Sequence, residues 1–543
     1  MAKEITFNEE MRKRLYKGVK TAVDSISSTL GPSGRCVLID NGYGTPTATK
    51  DGVTVAKAIT LEDPVENVGA QLIKSISSAT DNDAGDGTTS ASVIALGILT
   101  EGLKATSSGV NPIKLRNGIN EAVSDVVERL KGITEEVTTE EQIAQVASIS
   151  ANNDKELGKL IADAVSTAGS AGVVTTAESK TGKTYMEFTE GMSFDNGYLS
   201  PYFSTDKTNL VVEYENPYLL LTDKPITSLE PIVGLLESVS REGRPLVIIG
   251  ESVEGDALTA LIVNSLRGII KVCAVKAPSF GDNRKAMLED IAVLTGGEVI
   301  TESVGLKLEN ATVMQLGECS SIRITKDKTT IIGGSGDKEE LEERVNSIKK
   351  DIEDASDYTK EKLQERVAKL AGGVAVIKVG DVSETALKEK KYRIEDALNA
   401  TRSAIEEGII PGGGTALCQI SKELKDEGVV KGDADFMRGY NIVLDAIISP
   451  TRTIAENCGL SGEVVVDKVQ NSEKGIGFNA LTGEFENMVE SGIIDPVKVT
   501  RLALQNASSV ASLVLTSSCT ITNKPEKEQV NPNLAGMSPS PMM

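Results

Sequence analysis

The strongest constraint on what this chain can fold into is a change of texture along one polypeptide, from helical to mixed and back to helical. Met11, Leu15, Val19, Val23 and Ile26 recur at near-fourfold spacing, so the start reads as an amphipathic helix, with Asn8 placed to cap it. "TLGPSGR" (29–35) breaks that pattern and "CVLID" (36–40) reads as a strand. Helices are expected behind Pro64, from Thr88 towards Leu103, and behind the Asn-Pro of "NPIKLRNGINEAVSDVVERLKG". From about residue 170, short β-like runs take over: "AGVVTTAES", "TYMEFTEG", "NLVVEYENPYLLLTD" and "RPLVIIGE". Between them lie "SLEPIVGLLESVSREG", with Ser228 as its cap, and "EGDALTALIVNSLRG", so the middle third reads as α/β. "IIGGSGDKEE" then leads into a charged helical pair broken near Ser356-Asp357. Past Asp381 the helices return. Two ends of one class around a middle of another suggest an insertion into a helical body. The closing stretch "NKPEKEQVNPNLAGMSPSPMM" is polar and rich in Pro and Ser, and is expected to be disordered.

Charge and composition exclude several functions. A net charge of −22 argues against sequence-independent nucleic-acid binding and against anionic membranes, which both need a basic footprint. Histidine is absent, which removes Ser-His and Cys-His nucleophiles and imidazole metal sites. With no Trp and 3% aromatics, stacking on bases is disfavoured. Cys36, Cys273, Cys319, Cys418, Cys458 and Cys519 are scattered with no Cys-x-x-Cys, as reduced thiols would be. The first residues lack an apolar signal core and no run suits a bilayer, so a soluble cytoplasmic protein is expected.

Several glycine-rich segments compete as phosphate sites. Gly182-Lys183-Thr184 resembles the end of a P-loop, but Ala177 stands where a glycine is needed and "YMEFTEG" alternates like a strand. "GYGTPT" (42–47) has Thr47 in place of a third glycine and no following helix. Gly412-Gly413-Gly414 admits backbone to a ring or phosphate, or is a plain interhelical turn. "AGDGTTS" is better placed: N–H groups at a helix start attract phosphate oxygens, and Asp86 beside them can hold a Mg²⁺. A Gly-Asp-Gly turn with a Thr cap explains the same residues without a ligand. Lys50 and Asp51 in "TATKDGVTVAK" are a charge pair that could stand near phosphate, but taken alone they read as a solvated turn between strands.

Seven ordered motifs then carry a resemblance. "TLGPSGRCVLID", "TKDGVTVAKAI", "NDAGDGTTSASV", "FDNGYLSPYF", "RKAMLEDIAVLTGG", "RIEDALNATRSAIEEGIIPGGGTAL" and "GIIDPVKVTRLALQNA" stand in the order of a GroEL-type group I chaperonin, from about Lys3 to Thr522. The resemblance implies a multidomain group I chaperonin fold. A mainly α equatorial domain would comprise residues 1–132 and 407–522, and a small α/β intermediate domain residues 133–189 and 375–406. An α/β apical domain would span 190–374, with residues 523–543 as the disordered tail. It implies an ATPase with ATP and Mg²⁺, homo-oligomeric in two stacked seven-membered rings. The rings would enclose non-native client proteins under a ring-shaped lid co-chaperonin.

Carried over by motif, Thr29, Leu30, Gly31 and Pro32 would lie against phosphates and ribose, and Lys50 would face the terminal phosphate. Asp86 would bind the metal, while Gly87, Thr88, Thr89 and Ser90 wrap the phosphates. Gly413, Asn479, Ala480 and Asp495 would enclose adenine and ribose, and Asp396 would orient the attacking water with Asp51 assisting. Such a set suffices for phosphoryl transfer without histidine. Tyr198, Tyr202, Phe203, Val233, Leu236, Leu258, Ile262 and Val263 would form an exposed groove for clients and for the lid. On spacing alone, the stripes Leu229/Ile232/Val233/Leu236 and Leu258/Leu261/Ile262/Leu266 read as core rather than as a groove. Asn196 departs from the family's usual Arg, which would leave Glu384 without its charged contact; Asn283 also replaces an Arg, and the tail lacks Gly-Gly-Met repeats. A holdase without a productive ATP cycle and a metabolic kinase are the rival readings.

Overall fold

The computed structural model describes residues 2–40, 46–151, 154–169, 172–179, 181–207, 210–353, 357–428 and 430–524. Residues 42–45 of the Gly-x-Gly candidate, Ser356, and residues 525–543 of the expected tail lie outside them. The chain divides into two compact units, residues 1–159 with 392–543, and residues 160–391.

The first unit joins the two ends of the chain. Lys3–Phe7 pairs antiparallel with Cys519–Asn523, Ile5 opposite Ile521, so Asn523 is a strand residue. The ribbon lies on Asn8–Ser27 and Pro64–Ala84, which pack with the helices Thr88–Ser107, Pro112–Gly132, Ala434–Ala446 and Val497–Thr516 into one body. Met11, Leu15, Val19, Val23 and Ile26 are all core, as their spacing requires. Asn8 does not cap its helix. It has φ +50° and its N–H donates to Ser518 O at 2.9 Å, because strand pairing dictates how the chain enters. Where Pro112–Gly132 meets Ala434–Ala446, a Cβ at Gly118 would fall 1.9 Å from Phe436 O, and one at Gly439 2.0 Å from Leu115 O. Glycine on both sides lets the two backbones touch.

The second unit is α/β. Its eight-stranded sheet runs Val272–Lys276, Leu246–Gly250, Tyr218–Thr222, Gly317–Ile324, Thr329–Gly334, Gly191–Phe194, with Val299–Ile300 on Tyr218–Thr222 and Val212–Glu215 on Gly317–Ile324. The first three strands and Val299–Ile300 are parallel, and their continuous apolar runs suit strands covered on both faces. A smaller sheet places Val374–Val379 between Val173–Glu178 and Tyr185–Thr189. Tyr185 begins a strand, so Gly182-Lys183-Thr184 has no helix behind it and is no P-loop. Ser228 accepts from the Glu230 N–H at 3.3 Å and starts the 3₁₀ turn Glu230–Ile232; the α-helix begins only at Val233. The charged pair comprises Lys338–Glu353 and Asp357–Ala371, and Arg344 and Arg366 from these two helices hold the buried Asp290 at 2.9 and 2.7 Å.

Among the described residues no helix is long and apolar enough to cross a membrane, and all six cysteines are free.

Candidate functional site

Every expected nucleotide-site residue belongs to the first unit. The Pro64–Ala84 helix ends in Gly85 at φ +72°, whose N–H donates to Asp81 O at 2.8 Å. Asp86 follows, then Gly87 at φ +80°, and Thr88–Ser107 begins with no side chain capping it. A 20-residue helix thus offers bare N–H groups at its positive end, with Thr88 and Thr89 buried in its first turn and Ser90 next to them. Asp86 Oδ1 accepts the Gly87 N–H at 2.6 Å and Oδ2 the Ser150 hydroxyl at 3.2 Å.

Two further elements converge on this turn. Asp51 caps the short helix Gly52–Ala58, accepting the Val53 and Thr54 N–H groups at 3.0 and 2.8 Å. That helix starts so close to Thr88 and Thr89 that a Cβ at Gly52 would meet Thr89 Oγ1 at 2.3 Å. Lys50, just before it, is exposed and has no ion pair among the described residues. From the far end of the sequence, Asn399 packs on Gly85 and the Ser403 hydroxyl donates to Ala84 O at 3.1 Å. Asp396, Asn399 and Ser403 lie on one face of the Glu384–Glu407 helix, so docking at the last two faces Asp396 towards Asp86.

A second group surrounds the helix Ser449–Asn457. Asn457 Nδ2 donates to Ser27 O and Leu30 O at 2.9 Å each, which fixes the loop Thr29, Leu30, Gly31, Pro32. Cys458 donates to Ala480 O at 3.6 Å, and Thr451 donates to Gly413 O at 3.2 Å. Asn479 donates its amide to Glu486 at 2.5 Å and accepts the Leu481 N–H at 2.9 Å. Asp495 lies opposite Ile410 in a two-stranded ribbon, and its Oδ1 stands 3.0 Å from where a Cβ on Gly412 would be.

The electrostatics are those of carboxyl groups crowded together out of water. Burial first, then Asp51, Asp86, Asp81 and Glu395, drive the Asp396 carboxyl well above the ordinary range. Burial also raises Asp86, against the hydrogen bonds from Gly87 and Ser150. Asp495 is pushed up to about 7 by burial and by Asp86, with the N–H groups of Gly414 and Gly413 opposing. Such a folded carboxyl contributes stability that is present below its unfolded value near 4 and is lost as pH rises to 7. The melting temperature of the nucleotide-free protein is therefore expected to fall less steeply between pH 4 and 7 in Asp495→Asn than in the parent, as scanning calorimetry would read.

The donor set fits a hard divalent cation. It consists of carboxylate oxygens whose burial and mutual repulsion a positive ion would relieve. Among the described residues no three or more acidic, His or Cys side chains are arranged to cage a metal. An ion of the Mg²⁺ kind takes one or two carboxylates and shares the rest of its shell with phosphate.

Two carboxylates of the cluster, Asp81 and Glu395, were not anticipated from sequence. Asp81, raised to about 6, sits within "TDNDAGDG" but has no glycine beside it to mark it.

In the second unit, the expected groove residues differ in exposure. Tyr202, Val233 and Val263 are exposed at 65%, 42% and 37%. Leu236, Leu258 and Ile262 are partly buried, and Leu261 is core. Tyr198 and Phe203 are also buried, Phe203 to 2% exposure, because the turn Pro201–Phe203 tucks its ring into the sheet core. Glu384 pairs with Lys388 at 2.8 Å, and Asn196 Nδ2 donates to Ala277 O at 3.0 Å. Asn283 lines a cleft with Ser279, Met287 and Arg366.

Compared with known families, residues 23–525 match the model described as the TCP-1/cpn60 chaperonin family.

Proposed function

The chain belongs to the TCP-1/cpn60 chaperonin family, and from that premise we propose that it is a GroEL-type group I subunit that encloses non-native proteins and is driven by Mg-ATP hydrolysis. Members of the family promote protein folding, are ATPases generally, and typically form oligomeric rings that bind client proteins. The finer reading is a cytoplasmic particle of two stacked seven-membered rings, closed by a ring-shaped lid co-chaperonin.

The observation that carries the ATPase reading is the uncapped start of Thr88–Ser107 beside Asp86, with the Asp396 helix docked on the same turn. Bare N–H groups from Thr88 to Ser90 bind phosphate oxygens, and the Thr88 and Thr89 hydroxyls donate beside them. Asp86 would hold Mg²⁺, which when bound would offset the negative charge that develops on the phosphates. Lys50 adds a positive charge at the terminal phosphate. Asp396 accepts a hydrogen bond from water and aims it in line, with Asp51 supporting that orientation. The loop Thr29–Pro32 and the group Gly413, Asn479, Ala480 and Asp495 enclose ribose and adenine. Electron micrographs of the purified protein and a phosphate-release assay test this together. Rings with ATP-dependent phosphate release are expected; a monomer or dimer, or no release, contradicts it.

For client capture, Tyr202, Val233 and Val263 carry the exposed apolar surface, flanked by the partly buried Leu236, Leu258 and Ile262. Tyr198 and Phe203 support it from beneath. Replacing Val233 and Val263 by Ser is expected to cut retention of a denatured client several-fold while leaving phosphate release unchanged, as a spin-down capture assay would read.

A further inference from the structure

The helix Ser449–Asn457 carries none of the residues assigned above to nucleotide, yet it reaches three segments that do. Thr451, Ile454 and Asn457 stand three residues apart, and Cys458 follows as the C-cap, so all four share one side of the helix. Thr451 Oγ1 donates to Gly413 O at 3.2 Å, and Cys458 Sγ to Ala480 O at 3.6 Å. Ile454 lies against Gly31, where a Cβ would stand 3.2 Å from its Cγ1. Asn457 makes the closest contact. Its Nδ2 donates to both Ser27 O and Leu30 O at 2.9 Å, from more than four hundred residues further along the chain. Two carbonyl oxygens can be met only by a donor, so it is the amide nitrogen that faces them. The loop keeps its curve through its own bonds, Gly34 N–H to Gly31 O at 2.9 Å and Arg35 N–H to Ser28 O at 2.8 Å, around Gly31 at φ +81°. Those bonds shape the loop; Asn457 seats it, at one point on the end of the Asn8–Ser27 helix and at another within the loop.

We propose that Asn457 is a positioning residue for nucleotide binding, whose amide seats the loop Thr29–Pro32 before ATP arrives and so sets the affinity for Mg-ATP and not the rate of the chemical step. This rests on the reading of that loop as a wall of the nucleotide site. A loop already seated costs the nucleotide no ordering. A loop released from Asn457 must be ordered as ATP binds, and that cost appears in KM. With ATP bound the loop is back in place, and Asp396 and Asp51, which belong to other elements, are untouched.

Two variants separate the hydrogen bonds from the packing. Asn457→Ala removes the donor and leaves room for water. Asn457→Asp keeps the size but turns the donor into an acceptor facing two carbonyl oxygens. KM for Mg-ATP is expected to rise roughly tenfold in Asn457→Ala and further in Asn457→Asp, with kcat at saturating ATP within about twofold of the parent. A role in packing alone predicts the opposite order, with the isosteric Asp the milder change, and no preference for KM over kcat. The second arm needs no nucleotide. Hydrogen exchange at the Gly34 and Arg35 N–H groups is expected to quicken several-fold in both variants, while exchange within Thr88–Ser107 stays as in the parent. An unmoved KM, a loss confined to kcat, an Asp variant milder than the Ala one, or unchanged exchange in the loop overturns the proposal. A parent that binds no nucleotide would instead sink the reading of the site, and is told apart because the exchange comparison is made without it.

Discussion

Asp396→Ala is expected to bind ATP almost as the parent does and to release phosphate on the order of 10²–10⁴-fold more slowly. The binding groups lie elsewhere: the helix start from Gly87 to Ser90, Asp86, the loop held by Asn457, and the glycines held by Thr451. None of these depends on the Asp396 carboxylate. Removing a buried carboxyl crowded by Asp51, Asp86 and Asp81 also removes repulsion, so nucleotide affinity is expected to hold or improve. The water, however, loses its acceptor. Equilibrium binding of a fluorescent ATP analogue beside single-turnover phosphate release separates the two effects. Equal loss in both would mean that Asp396 shapes the pocket and does not act on water.

The second large effect is expected from Gly85→Ala, and it arises from two independent causes. At φ +72° an alanine is strained by about 1–2 kcal/mol. Its Cβ would also stand 2.1 Å from Asn399 Cβ, a separation no two carbons tolerate, so the Asp396 helix must lift off the turn. Phosphate release is expected to drop at least tenfold even with saturating ATP. The cause can be dissected. Asn399→Ala keeps the offending Cβ and should rescue nothing, whereas Asn399→Gly removes it and should restore part of the rate, the left-handed strain remaining. Rescue by Asn399→Ala would show that the amide, and not the backbone approach, sets the docking.

How much of this was legible in the sequence depends on what each residue's role rests on. Periodicity is a local property, and the helix holding Met11, Leu15, Val19, Val23 and Ile26 formed where the spacing put it. So did the strand that rules out Gly182-Lys183-Thr184 as a P-loop. Texture suggested that the two ends share one helical body, but not the contact that ties them, Ile5 opposite Ile521 across the whole length of the chain. The same pairing explains why Asn8 is no cap. Which side of an apolar stripe faces water was equally hidden. Leu261 and Val263 are both apolar and two residues apart, yet one is core and the other exposed, and only the sheet beneath decides. Asp86 stood out because glycines and hydroxyls surround it. Asp81, five residues away, meets Lys57 at 3.9 Å, a contact that no local motif could announce.

The central claim is that carboxylates from distant parts of the chain converge on a metal-bound triphosphate at the start of Thr88–Ser107. A structure of the Asp396→Ala protein determined with ATP and Mg²⁺ tests it most directly. The triphosphate is expected on the N–H groups of Thr88 to Ser90, with the cation on Asp86 and adenine beside Asn479, Ala480 and Asp495. Nucleotide bound elsewhere, or a cation that does not touch Asp86, would contradict the account.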